Sequence, residues 1–365
     1  MIQIPDRINN LTTYKAGKPI DELAREKGLN KIVKLASNEN PLGPSPKAVE
    51  AIIKHGEFIH RYGDPNAFDA VTALSVKYKK PFNSIFIASG SDAILQYIII
   101  ALTNEGDYML SSKGSFIGWY VNSDKLGRKS INLPLTSDYK IDLEAIKEKI
   151  SPDIKLIYLA NPNNPTGTYF TKAQFIDFMN AVPKNTVVIL DEAYTLYAEA
   201  CKDYPNGLNF DYENLLVLRT FSKSYGLAGL RMGFACGNPE LITALKKARM
   251  PFEPNTLAAY AAIAALEDES FLEETVKLNN RSMTMFREAF DSMSMNYTAT
   301  AANFFLIIFE TPEKAKNFNQ ECLNKGLILR YVDYFGIPNG VRINSGTVEE
   351  TEFAINIIKQ VIEII

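Results

Sequence analysis

Seven short apolar runs, rich in β-branched and aromatic residues, recur between residues 84 and 237: "SIFIAS" (84–89), "DYMLSS" (107–112), "KSINLP" (129–134), "IKLIYLA" (154–160), "TVVILDE" (186–192), "NLLVLRT" (214–220) and "GFACG" (233–237). Between most of them lie stretches of helical periodicity, such as "SDAILQYIIIALTN", "DLEAIKEKI" and "TKAQFIDFMNAV". Strands joined through helices are crossover-connected, so this alternation predicts an α/β architecture with a mainly parallel, seven-stranded sheet. The runs are apolar almost end to end, as strands are when helices cover both faces of the sheet.

Past residue 270 the texture changes. A long helical pattern over about 269–293 leads into "NFFLIIFE", "LILRYV" and "VRINS", each flanked by a helix, which predicts a smaller α+β domain. The opening segment carries one helical pattern, "IDELAREKG", and then "KLASNENPLGPSP", whose prolines and glycine suit a crossing between domains. The expected division is a large domain over 41–270 and a small one built from 1–40 and 271–365. A chain of 365 residues is comfortable for two domains.

The net charge of −3 argues against a nucleic acid or an anionic membrane as the main partner. Cys201, Cys236 and Cys322 form no metal or redox spacing and read as core thiols of a reducing compartment. His55 and His60 are too few for a metal site, and Met283, Met285, Met293 and Met295 read as helix packing. The amino terminus lacks the apolar core of a signal peptide, and "AILQYIIIAL" is too short to span a bilayer. A soluble cytoplasmic protein is expected.

Four loops then stand out. "SGSDA" (89–93) turns from a strand into a helix whose first N–H groups suit an anion, unless Ser91 or Asp92 simply caps it. "NPNNPTG" (161–167) follows a strand, where an open α/β sheet binds ligands, and Asn164 there has an amide to donate; a purely structural turn is the alternative. "ILDEAY" (189–194) leaves Asp191 at the end of a buried strand, where it needs a cation or hydrogen-bond donors, or else caps the next helix. "RTFSKSYGLAGLRMG" (219–233) puts Lys223 just past a strand, with Thr220, Ser222 and Arg231 as hydroxyls and charge for an anion. It is not a dinucleotide fingerprint: the glycine spacing differs and no acidic residue follows at the expected distance.

In this order and spacing, "NPNNPTG", "DEAY" and "TFSKSYGLAGLRMG" resemble the pyridoxal-phosphate aminotransferases of fold type I. "KLASNENPLGPSP", "HRYGDP", "SGSDA", "RMPFEPN", "LILR" and "VRINSGTVEE" are similar to the histidinol-phosphate branch of that family, and the likeness runs from Tyr14 to Glu350. The resemblance implies pyridoxal 5'-phosphate as cofactor, with Lys223 forming its Schiff base and then moving a proton as a free amine. It implies Asp191 on the pyridinium nitrogen, Asn164 and Tyr194 on the ring oxygen and Phe116 on the ring face. Ser91, Asp92, Thr220, Ser222 and Arg231 are implied to hold the phosphate. Tyr62 is implied to reach the phosphate of a neighbouring subunit, hence a homodimer. Arg342 and Arg330 are implied to take the substrate's anionic groups, with Tyr14 and Asn40 where the amino-terminal segment closes over it.

Gly63, Ala93, Gly114 and Trp119 depart from the family's usual residues, and Trp119 is expected to alter the substrate side of the pocket. The leading expectation is transfer of the amino group of histidinol phosphate to 2-oxoglutarate. Its rivals are an aromatic amino-acid aminotransferase, a threonine-phosphate decarboxylase and a non-catalytic cofactor-binding regulator.

Overall fold

The structure, a computed structural model, describes residues 2–11, 23–25, 28–29 and 31–365. Most of the helix expected over "IDELAREKG", and Tyr14, lie outside the described residues. Strand β1 (Val33–Lys34) is followed by β2 (Ile85–Ala88), β3 (Tyr108–Ser112), β4 (Lys129–Leu133), β5 (Ile154–Ala160), β6 (Val187–Asp191), β7 (Leu215–Thr220) and β8 (Gly233–Gly237). Then come β9 (Asn296–Tyr297), β10 (Phe304–Ile308), β11 (Leu327–Ile328), β12 (Arg330–Tyr331) and β13 (Gly340–Asn344).

Strands β2 to β8 form one sheet of seven, in the order β2-β8-β7-β6-β5-β3-β4. Every neighbouring pair is parallel except those made by β8, which runs against both β2 and β7. β8 returns from β7 without an α-helix between them, so the chain reverses instead of crossing over. Both faces of the sheet are dry. Along β7, Leu215 and Val217 pack into a core with Ala258, Ala261 and Phe178, while Leu216 and Leu218 pack into another with Ile94, Ile98 and Trp119. The two-residue period of a strand produces that split. Only β4, at one edge, departs from the expectation of apolar strands covered on both sides: Lys129, Ile131 and Asn132 are exposed, whereas β2 at the other edge is buried throughout.

A second core brings the two ends of the chain together. Val33 and Leu35 pack with Phe286, Phe290, Phe305, Ile343 and Ile358. β1 pairs with β11 in parallel, and β12-β13-β10-β9 form an antiparallel sheet of four. The 24-residue helix Glu269–Ser292 leads from the large sheet's side into this core. Thr347, through a capping box with Glu350, starts the last helix, Val348–Ile362. Among the described residues, no helix is long and apolar enough to cross a membrane.

Candidate active site

The carboxyl ends of β2, β3, β5, β6 and β7 lie along one edge of the large sheet, and the reversed β8 begins there. Pairing sets Ala160 opposite Asp191, Asp191 opposite Leu218, and Thr220 opposite Gly233. A cavity of about 220 Å³ opens over this edge. Of the residues singled out from the sequence, Ser91, Asp92, Phe116, Asn164, Asp191, Tyr194, Thr220, Ser222, Lys223, Arg231, Arg330 and Arg342 line it. Asn40 and Tyr62 do not.

One end of the cavity is built for an anion. Helix Ser91–Leu102 starts after Gly90 (φ 88°), and no side chain caps it, so neither Ser91 nor Asp92 takes the capping role. Its first N–H groups therefore face the cavity unclaimed by a cap. Arg231, in left-handed backbone (φ 55°), turns its guanidinium to the same place. It donates to Ala228 O (3.1 Å) and Ser222 Oγ (3.4 Å) and lies 4.0 Å from Asp92. Thr220 Oγ1 accepts the Ser222 N–H at 3.1 Å, which orders the loop that carries both hydroxyls. A Cβ on Gly90 would come within 2.8 Å of Arg231 Nη2, so only glycine leaves this corner open.

Asp191 sits on the floor. Its Oδ2 accepts from Tyr158 (2.8 Å) and its Oδ1 from the Ala193 N–H (3.1 Å). Burial raises its pKa to about 6 despite these two bonds. The hydrogen-bonding partner that the sequence demanded is thus a tyrosine two residues before the end of the neighbouring strand.

Lys223 Nζ donates to Ser37 O (3.1 Å). Burial, then the Arg342 guanidinium and more weakly Arg231, lower its pKa to about 8, against the pull of Glu39. Arg342, from the far end of the chain, acts more strongly than Arg231, only eight residues from Lys223. Arg342 also donates to Asn164 Oδ1 and to Ala36 O (2.7 Å). The Asn164 amide in turn donates to the Tyr194 hydroxyl (3.2 Å), and Asn38 Nδ2 donates to the same oxygen (2.8 Å). With two donors on its oxygen, Tyr194 keeps its proton to donate elsewhere. Arg330 and Arg342 are direct partners across the β12–β13 pair, so both side chains leave the same face of the sheet.

Two expectations are corrected. Asn40 does not reach the cavity: it bonds Ser224 O (2.9 Å), Thr275 Oγ1 (3.0 Å) and the Leu42 N–H (3.0 Å), tying the crossing loop to the long helix. Asn38, two residues earlier, reaches the cavity instead, in left-handed backbone (φ 55°). Trp119 does not touch the substrate side either. It is fully buried, stacks on Tyr158 at 4.9 Å and donates to Ser130 (3.2 Å). Tyr62, expected to serve a neighbouring subunit and not its own site, is 82% exposed, stacks on Phe252 and does not line this cavity.

Sequence reasoning also missed Tyr158, Asn38 and the buried Glu192–Arg219 pair (2.7 Å) beneath the floor. Tyr158 had a signal: it shares strand parity with Ala160, which faces Asp191 across the pair.

A profile of the family described as aminotransferase class I and II matches residues 30–358. A "histidinol-phosphate aminotransferase 2" of Carboxydothermus hydrogenoformans is 39% identical over 98% of this chain and 99% of its own length. A histidinol-phosphate aminotransferase of Moorella thermoacetica is 36% identical over 98% and 92%. Among solved structures, the histidinol-phosphate aminotransferase of Sinorhizobium meliloti in complex with pyridoxal-5'-phosphate superposes with a TM-score of 0.89. It is 26% identical and covers 100% of this chain and 98% of its own.

Proposed function

We propose, from the premise that the chain belongs to the aminotransferase class I and II family, that it transfers the amino group of histidinol phosphate to 2-oxoglutarate, giving imidazole-acetol phosphate and glutamate. The protein is a pyridoxal-phosphate-dependent aminotransferase acting on small molecules. The observation that carries the choice of donor is the likeness, at 36–39% identity over nearly the whole chain, to relatives named for that donor.

The residues fit the cofactor. An uncapped helix start, a guanidinium and two hydroxyls suit its phosphate. A buried carboxylate held only by neutral donors suits a protonated ring nitrogen. Asn38 Oδ1, buried at the cavity wall without a hydrogen-bond partner, leaves an acceptor for a ligand. When bound, the cofactor supplies an electron sink for charge that develops on the substrate's amine-bearing carbon.

The chain's own groups do the rest. Lys223 would anchor the cofactor and, as a free amine, take the proton from the substrate carbon; its lowered pKa keeps it a usable base near neutrality. Asp191 holds positive charge against the ring nitrogen. Tyr194, with both lone pairs engaged, and Asn164 orient a proton donor toward the ring oxygen. Phe116 forms one wall. Arg342 takes a carboxylate in both half-reactions, and Arg330 beside it takes the donor's phosphate. In this reading residues 41–270 hold the cofactor, and residues 1–40 with 271–365 bring the arginines. The enzyme works as a homodimer in which Tyr62 serves the neighbour's phosphate. Its exposure, with that of Phe58, Ile59, Met250 and Phe252, supports this.

Steady-state rates with histidinol phosphate, phenylalanine and tyrosine test the donor, with histidinol phosphate expected to give the highest kcat/KM. Losing a charged hydrogen bond costs about 1.5–3 kcal/mol. Arg330→Ala is therefore expected to lower kcat/KM for histidinol phosphate roughly ten- to a hundredfold and to affect phenylalanine less. Equal losses would point to a carboxylate-only pocket.

A further inference from the structure

We propose that Tyr158 is a positioning residue for Asp191: its hydroxyl fixes one carboxylate oxygen, so that the carboxylate meets the cofactor's ring nitrogen in a single orientation. This rests on the reading of Asp191 as that nitrogen's partner.

The geometry is rigid at each step. Tyr158 is fully buried inside β5, and its hydroxyl reaches Asp191 Oδ2 at 2.8 Å. Ala160 lies directly opposite Asp191, so Tyr158 is the diagonal neighbour on the same face, a separation an aromatic side chain spans. The phenol ring is clamped against Trp119, with ring centroids 4.9 Å apart and planes within 9°. Trp119 is itself fixed by full burial and by its bond to Ser130. The second carboxylate oxygen is held by the Ala193 N–H, so the carboxylate is pinned at both ends while Asp191 still borders the cavity.

Charge gives the arrangement a purpose beyond packing. Burial, with Asp92 and Glu192 adding like charge, drives Asp191 toward its neutral form, and the Tyr158 bond opposes that. Burial pushes the phenol's own pKa well up, so Tyr158 remains a donor. A neutral Asp191 cannot hold a cationic ring nitrogen. Tyr158 thus orients the carboxylate and extends the pH range over which it carries charge. The departure at Trp119 finds its place here, as the wall behind the positioning ring.

The test uses the apoenzyme, with pyridoxal phosphate as probe and quenching of Trp119, the chain's single tryptophan, as readout. Tyr158→Phe keeps the ring and its stack. It is expected to weaken binding about tenfold at pH 7.5 and to move the acid limb of the binding profile to higher pH. Asp191→Asn is expected to weaken binding further and to remove the component of that limb near pH 6, leaving only the one that Lys223 sets near pH 8. The double variant should then bind like Asp191→Asn alone. Wild-type affinity with an unmoved acid limb in Tyr158→Phe would overturn the proposal, as would losses that multiply in the double variant. Wild-type binding by Asp191→Asn would instead overturn the reading of Asp191 itself.

Discussion

At the scale of single residues, two buried ionisable groups define what the site can do. Lys223 has a pKa lowered to about 8, first by burial and then by Arg342. Capture of pyridoxal phosphate by the apoprotein, followed by absorbance, is expected to rise with pH and level off above about 8. Arg342→Gln removes a repelling charge, so its midpoint moves upward; an unmoved midpoint would leave burial and Arg231 as the causes. Borohydride reduction should fix the label on the peptide carrying Lys223. Asp191 makes the opposite kind of demand. Its folded pKa, about 6, lies above the ordinary aspartate value of 3.8, so between these values the folded chain holds a proton that the unfolded chain has lost. Stability attributable to this group therefore falls as pH rises from about 4 to about 6 and stays reduced above that. A difference of this size corresponds to roughly 3 kcal/mol. Asp191→Asn is expected to stabilise the cofactor-free protein at pH 7.5 by up to that amount and to do little at pH 4. Urea unfolding at the two pH values measures it, and equal effects at both would exclude the charge as the cause.

At the scale of elements, the site depends on how strands hand over to helices. The turn from β2 into helix Ser91–Leu102 passes through Gly90 at φ 88°, where a Cβ would meet Arg231 at 2.8 Å. Gly90→Ala is expected to cost about 1–3 kcal/mol of stability from backbone strain and, in addition, to displace Arg231 and weaken cofactor retention. Gly106→Ala is the matched control: it also has positive φ (96°) but no atom within 4 Å of its Cβ. It should cost similar stability without touching cofactor affinity. Similar affinities in the two variants would mean that the Gly90 corner holds no phosphate. The β12–β13 ladder has the same dependence on local geometry. The pairing of Arg330 with Arg342 keeps two cations on one face, and a slip of one residue would turn one of them away.

At the scale of the whole molecule, two cores and one shared edge make the site. The small core joins Val33 and Leu35 to Phe305 and Ile358, which delivers Ala36, Ser37 and Asn38 to Arg342, Lys223 and Tyr194. In the proposed homodimer, a second copy of the chain would be the remaining component. Tyr62 does not line its own cavity and stacks on Phe252 on an exposed apolar surface. Lys223→Ala and a disruptive Tyr62 variant, each inactive alone, are therefore expected to complement on mixing. One site of the heterodimer then carries both lesions and the other neither, restoring up to about half the wild-type activity per heterodimer. No recovery, after subunit exchange has been shown directly, would place Tyr62 outside the neighbour's site.

The sequence by itself determined the seven strands, their mainly parallel pairing and the loops that carry Ser91, Asn164, Asp191 and Lys223. Those features are written locally, in hydrophobic period and in the turn residues that end each run. It even held the reversal of β8, since no helical pattern separates "NLLVLRT" from "GFACG". What it could not determine were contacts between distant segments. Tyr158 meets Asp191 across 33 residues, Asn38 meets Tyr194 across 156, and Arg342 meets Ala36 across 306. Which of Asn38 and Asn40 faces the cavity depends on a left-handed backbone position at Asn38 and on where β1 docks beside β11. Whether Trp119 borders substrate or backs a tyrosine depends on how helix Ile117–Lys125 lies against the sheet. Such choices belong to sheet order, register and packing, which a local pattern of residues constrains only once the whole chain has closed on itself.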